Sequence, residues 1–230
     1  MSGKFPIPND ICIIIPAYNA QFTIKQLLEQ ISTLYNFHKK QIIVINDGSS
    51  DNTENIIKKF DITIITNSKN QGKSFSLIKA TSWAGKNNFK YAIFIDADLQ
   101  HPPKYIKNFI KKLQKTNSDL IIGKRKIDNH MPFQRKLSNF LGNLIVSLVL
   151  QKYIPDTQSG FRLINIQKME KFTYKSIRYE LETEILIKFV KNNFNISYVD
   201  IPTIYNEYST HFNILLDLIR FFYIIFISLL

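Results

Sequence analysis

The chain has 230 residues, 45% hydrophobic and 21% charged, enough for one well-cored domain and an appendage. Thirty Lys and Arg against eighteen Asp and Glu give a formal net charge of +12. That balance favours acidic partners (nucleic acid, anionic lipid or phosphorylated substrates) without choosing among them. A single cysteine, Cys12, excludes an intrachain disulfide framework and fits a reducing compartment.

Residues 1–10 carry no apolar stretch of the kind a secretory leader needs, so none is expected. Runs rich in β-branched residues at 11–15, 41–45, 62–66, 91–95 and 120–122 predict buried strands. Their near-continuous apolar character is that of parallel strands covered on both faces, and Cys12 is expected in that core. Between the first two, Ile24, Leu27, Leu28, Ile31 and Leu34 form one helical stripe, with Thr23 and Gln26 spaced as a capping box. Asp51 followed by Glu54 marks the next helix start, and further helices are predicted over 73–86 and 103–115. The lysines of the latter, Lys111, Lys112 and Lys115, read as a solvated face.

After Gly123 the rhythm changes. A segment over 133–151 is basic early, at Arg135 and Lys136, and apolar late, over 144–150. A helix over 180–191, an extended piece over 196–205 interrupted by Pro202, and a last helix from 211 follow. Residues 214–230 are apolar except for Asp217, Arg220 and Ser228, and short for a membrane span, so an interfacial helix is expected. The alternation predicts a doubly wound α/β fold with a mostly parallel sheet, as one domain over 1–210 and an apolar helix over 211–230.

In such sheets ligands bind beyond the carboxyl ends of the strands, where the polar residues of this chain gather. Asp96-Ala97-Asp98 sits at the end of the fourth strand, and two carboxylates of one short turn suit a hard divalent cation that also takes phosphate oxygens. Gln100 adds a neutral oxygen; the plainer alternative has Asp98 capping a helix that begins near Pro102. In 46–51, Asp47 follows a strand and Gly48 permits close approach to a ligand, or the segment is an ordinary capped turn. Tyr18, in Pro16-Ala17-Tyr18-Asn19, either stacks on a base or covers the core. Lys73, after Asn70-Gln71-Gly72, either faces the same mouth or starts a solvated helix.

Taken in order, residues 14–19 (IIPAYN), 45–49 (INDGS), 70–73 (NQGK) and 96–103 (DADLQHPP) resemble the serial motifs of family 2 glycosyltransferases. The last of these is similar to that of dolichyl- and polyprenyl-phosphate mannosyl- or glucosyltransferases, and 156–162 (DTQSGFR) and 201–205 (IPTIY) continue the likeness over nearly the whole chain. The resemblance implies a GT-A fold with C-terminal membrane-associating helices, an Mg2+ or Mn2+ ion on Asp96, Asp98 and Gln100, and a GDP- or UDP-hexose donor. It places Pro16, Ala17, Tyr18, Asn19, Ile45, Asp47, Lys73, Asp96, Ala97, Asp98 and Gln100 around that donor. Two departures stand out: Ala20 where the family usually has Glu, and Asn46 for the first of two aspartates.

The same resemblance places Arg125, Arg135 and Ser138 at an acceptor phosphate, working with Asp98 in catalysis. Arginine suits phosphate through its fork, and the apolar run over 144–150 either shelters a lipid or packs as core. The implied reaction is inverting hexosyl transfer to a polyprenyl phosphate at the cytoplasmic face of a membrane, beside a membrane-subunit partner and without nucleic acid. The alternatives are a family 2 enzyme using a glycan or lipid-linked saccharide hydroxyl, and an inactive membrane scaffold. No Gln-x-x-Arg-Trp signature of processive synthases is present, the one tryptophan being Trp83. Asp156, Ser159 and Arg162 belong to a family-like loop that either folds over the crevice or takes part in catalysis, and Glu180 and Glu184 share a helical face expected to be solvated, although Glu184 aligns with a recurrent family glutamate.

Overall fold

The computed structural model describes residues 3–126, 133–176, 180–202, 204 and 223–226, with the backbone alone over 133–138. In chain order the elements are β1 (Phe5–Pro6), β2 (Ile11–Ala17), α1 (Ile24–Leu34), β3 (Tyr35–Asn36), β4 (Ile42–Asn46), α2 (Thr53–Ile57), β5 (Thr63–Thr66), α3 (Lys73–Lys86) and β6 (Tyr91–Phe94). They continue with α4 (Ile106–Thr116), β7 (Leu120–Arg125), α5 (Phe133–Leu150), β8 (Arg162–Asn165), α6 (Ile166–Met169), α7 (Leu181–Lys191) and β9 (Ile196–Ile201).

A seven-stranded sheet runs β5-β4-β2-β6-β8-β7-β9, and β1 and β3 form a separate two-stranded pair. Every neighbouring pair in the large sheet is parallel except those made by β8, which runs antiparallel to β6 and β7. The sheet is therefore mostly parallel, as expected, with one inserted reverse strand that the sequence pattern did not suggest.

Burial explains the continuous apolar runs. Ile11, Ile13 and Ile15 of β2 join Leu27, Leu28 and Ile31 of α1 and Phe109 and Ile110 of α4 in one core. Cys12 and Ile14 face the other way, into a second core with Leu77 and Ala80 of α3 and Ile185 and Phe189 of α7. Helices thus cover both faces, which is why the central strands read as nearly continuous apolar runs. Cys12 is a core thiol that burial pushes far above its usual range.

The capping box expected at α1 does not form. Thr23 makes no side-chain cap; its hydroxyl turns back to the Ala20 carbonyl at 3.3 Å, because the chain already turns at Ala20. Asp51 does act at the next turn, accepting from the Thr53 amide at 2.9 Å. Among the described residues no helix is long and apolar enough to cross a membrane. The helix expected over 211–230 lies outside them, apart from a helical turn at 223–226.

Strand order sets the site. β4 lies on one side of β2 and β6 on the other, so the connections diverge at β2 and open a crevice beyond its carboxyl end.

Candidate active site

Four loops meet at that crevice. The Asn19 amide donates to Ser49 Oγ at 3.0 Å, and the Ser50 amide to Asn19 Oδ1 at 2.9 Å, tying the loop after β2 to that after β4. Asp47, only 3% exposed, ties the second loop to the third. Its Oδ1 accepts from Asn67 Nδ2 at 2.7 Å and the Gln71 amide at 3.0 Å, and its Oδ2 from the Gly72 amide at 2.8 Å. Gly48 sits at φ +68°, and a Cβ there would fall 2.5 Å from the Lys69 carbonyl carbon, so only glycine lets the two loops touch. Tyr18 projects from the rim, half-exposed. Pro16, Ala17 and Ile45 are strand-end residues below it, paired as Pro16 with Ile45 and Ala17 with Asn46.

Lys73 ties the third loop to the fourth. At the start of α3 its ammonium lies 2.7 Å from Asp96 Oδ1 and 2.8 Å from Glu182 Oε1. Burial opposes its charge, but Asp96 and Glu182 outweigh burial and hold the ammonium protonated well above its ordinary range. Burial likewise opposes ionisation of Asp96, and Lys73 outweighs it, keeping that carboxyl below the usual range. A solvated helix start is thereby excluded for Lys73.

Asp98 differs. Burial first, and then the charge of Asp96, push its carboxyl up to about 6. Its Oδ1 accepts from the Gln100 amide at 2.9 Å, across a turn in which Leu99 is left-handed at φ +62°. The capping alternative fails, since the short 3-10 turn Pro103–Tyr105 has Pro102 as its cap and no side-chain cap bond. Ala97 is buried between the two carboxylates in sequence, and Gln100 is half-buried beside them.

The unassigned loop over 156–162 forms one wall. Asp156 grips Arg125 with both oxygens, at 2.8 Å from Nε and 3.0 Å from Nη2. It also accepts from the Gln158 and Ser159 amides at 3.1 Å each. Arg162, fully buried, donates to the carbonyls of Ser159 at 2.6 Å, Thr157 at 2.7 Å and Glu182 at 2.5 Å. Burial pulls this guanidinium down to about 10. Gly160 fits because a Cβ would lie 2.3 Å from Asp96 Oδ2. His101, 6% exposed, packs its ring 5.5 Å from Phe161 with Nδ1 unpartnered. Burial holds its imidazole neutral, down to about 4.

Two acidic residues correct the sequence reading. Glu180 and Glu184 are buried rather than solvated, because α7 is packed into the core along its length, with residues 181–187 all buried. Glu184 faces away from the crevice, accepting from the Lys175 and Ser176 amides and pairing with Lys188 at 2.6 Å. The glutamate that enters the site is Glu182, which carried no signal of its own in the sequence. The side chains of Arg135 and Ser138 lie outside the described residues. Among those described, no group of three or more His, Cys, Asp or Glu residues is arranged to hold a metal ion by itself.

This arrangement is an α/β sheet with a polar, carboxylate-lined crevice at its switch point, the fold of GT-A glycosyltransferases. The glucosyl-3-phosphoglycerate synthase of Mycobacterium tuberculosis, solved with Mn2+, UDP and glucosyl-3-phosphoglycerate, superposes with a TM-score of 0.73 over 95% of this chain and 78% of that one, at 17% identity. The pattern of glycosyl transferase family 2 matches residues 12–173, and the chain belongs to that family; it is a glycosyltransferase. A UDP-N-acetylglucosamine–dolichyl-phosphate N-acetylglucosaminyltransferase of Methanococcus voltae is 31% identical over 222 residues, covering 86% of this chain and 87% of the relative. A dolichol-phosphate mannosyltransferase of Pyrococcus furiosus is 31% identical over 189 residues, 77% of this chain and 52% of the relative.

Proposed function

We propose that this glycosyltransferase moves a hexose-type sugar from a nucleoside diphosphate to a polyprenyl phosphate, with a divalent cation beside Asp98. The observation that carries the reading is the Asp96–Asp98 turn at the mouth of the crevice, two carboxylates of one turn with Lys73 and Glu182 gathered beside the first. Such a turn fits Mg2+ or Mn2+, which is held by one or two carboxylates while phosphate oxygens complete the shell. Asp96, Asp98 and Gln100 would hold the ion. When bound, it supplies charge stabilisation to the departing diphosphate. Structural neighbours crystallised with UDP and Mn2+ or Mg2+ support this choice.

The remaining chemistry belongs to the chain. Asp47 orders the two loops that would flank the nucleoside, with Tyr18 exposed for stacking and Pro16, Ala17, Asn19, Ile45 and Ala97 shaping the pocket. The acceptor phosphate oxygen attacks the anomeric carbon as the bond to the diphosphate oxygen breaks, inverting that carbon. A phosphate monoester has a second pKa of about 6 and is already anionic near neutrality, so no general base is required. Arg125, oriented by Asp156, together with Arg135 and Ser138, would receive that phosphate. The names of the dolichyl-phosphate relatives favour this acceptor over a saccharide hydroxyl.

The lipid reading also draws on α5. Phe140, Leu144 and Leu148 recur every four residues and are exposed, Leu148 at 69%, with Tyr153 at 79% beyond them. That stripe suits contact with a membrane at its cytoplasmic face, with residues 211–230 as a second contact and 1–210 as the catalytic domain. Incubating membranes that contain the protein with labelled UDP- and GDP-sugars should place label in a mild-acid-labile lipid phosphate. Asp98→Ala should lower that transfer at least about a thousandfold, roughly 4 kcal/mol of transition-state stabilisation. Near-wild-type turnover by this variant, or label only in glycan, would sink the proposal.

A further inference from the structure

Glu182 is 4% exposed; its Oε1 holds Lys73 at 2.8 Å, and its Oε2 is buried without a hydrogen-bond partner. A buried carboxylate oxygen left unpaired costs stability, and a lysine already paired with Asp96 at 2.7 Å does not need a second acid to stay charged. The cost is intelligible through charge. Lys73 alone would neutralise Asp96, leaving only Asp98 to attract a cation. With Glu182 present, Asp96 and Glu182 both pair with one ammonium and Asp98 lies two residues from Asp96, so three carboxylates are set against one ammonium, an excess of two negative charges that matches a divalent ion. Gly160 locks the same group, since a Cβ there would lie 3.0 Å from Lys73 Nζ as well as against Asp96. Arg162 fixes the Glu182 backbone through its carbonyl.

We propose that Glu182 is a positioning residue that offsets the charge of Lys73, keeping the Asp96–Asp98 turn acidic enough to hold the divalent cation. This rests on the metal-dependent reading above, and it concerns affinity for the ion rather than contact with substrate. The test is Mn2+ binding by the full chain, read from the signal of free Mn2+ in electron paramagnetic resonance, alone and with UDP or GDP. Glu182→Gln should raise the Mn2+ dissociation constant about 10- to 100-fold, the range seen for partners of metal ligands, while Glu182→Asp stays within a few-fold of wild type. Lys73→Gln combined with Glu182→Gln removes both charges and should return the affinity to near the wild-type value.

A double variant as weak as Glu182→Gln, or a Glu182→Gln variant that binds like wild type, overturns the role of Glu182. Wild-type protein that binds no Mn2+ under any of these conditions overturns the metal reading itself, so the two failures are distinct. Should Glu182→Gln not fold, the comparison moves to Lys73→Gln, which should bind Mn2+ at least about tenfold tighter than the double variant; equal affinities overturn the proposal.

Discussion

Two largely buried ion pairs stand at the lip of the sheet, and they are built on opposite plans. Arg125–Asp156 is closed: the carboxylate spends both oxygens on the guanidinium fork and three backbone amides, and Arg125 is bound in return by its own amide and side chain. The Lys73 group is open, with one ammonium shared between two acids, an unpartnered Glu182 oxygen, and a third acid, Asp98, pushed up to about 6. A saturated pair braces a loop and orients the Arg125 fork; on the proposed reading, the over-acidic group is the one that takes positive charge from a cation. The first fixes a cation of the chain in place; the second leaves acid in excess of base.

The largest expected effect breaks the closed pair. Asp156→Ala leaves Arg125 largely buried without its fork partner and should cost about 3–5 kcal/mol in urea unfolding. Burial opposes the charge of Asp156, but Arg125 outweighs it and holds the carboxyl below its ordinary range. That stabilisation is present above the ordinary carboxylate pKa and is lost as pH falls through the lowered value, so wild type and variant should converge in acid. A cost below about 1 kcal/mol at neutral pH would mean the pair is not a brace.

The open group should respond with the opposite sign. Asp98 is ionised at pH 7 although its surroundings resist it, having been raised from 3.8 to about 6. Asp98→Asn should therefore stabilise the cation-free protein, in EDTA at pH 7, by up to about 3 kcal/mol. The gain should shrink as pH falls through 6 and vanish below about 4, where wild-type Asp98 is protonated in both states. A variant less stable than wild type at pH 7 would remove Asp98 from the open group.

Much of this was legible in the chain itself. Runs such as 41–45, found as Ile42–Asn46, read as parallel strands because both faces are covered, and the polar loops read as a site because they follow those strands. The reverse strand β8 was hidden: it opens on Arg162, whose burial depends on three carbonyls brought from elsewhere. Glu182 was hidden for a related reason. Its partner Lys73 is more than a hundred residues away, and no local spacing encodes a contact made by sheet order.

The smallest effect concerns Asn46, which stands where relatives were expected to carry aspartate. It is fully buried; its Oδ1 accepts from the Ser49 amide at 3.1 Å, and its Nδ2 reaches Glu54 Oε2 at 3.5 Å. An aspartate would keep the first contact and turn the second into repulsion between carboxylates. Glu54 is partly drawn away by Lys58 at 2.6 Å and is more than a third exposed, so solvent screens the clash. Asn46→Asp should thus cost only about 1–2 kcal/mol, and Glu54→Gln in the same chain should recover most of it. The departure from the family pattern then has a local cause: the amide at 46 and the acid at 54 answer one another, next to Asp47, whose own amide contacts they leave intact. An Asn46→Asp variant whose cost is unchanged by Glu54→Gln would disconnect the two and leave the amide without that explanation.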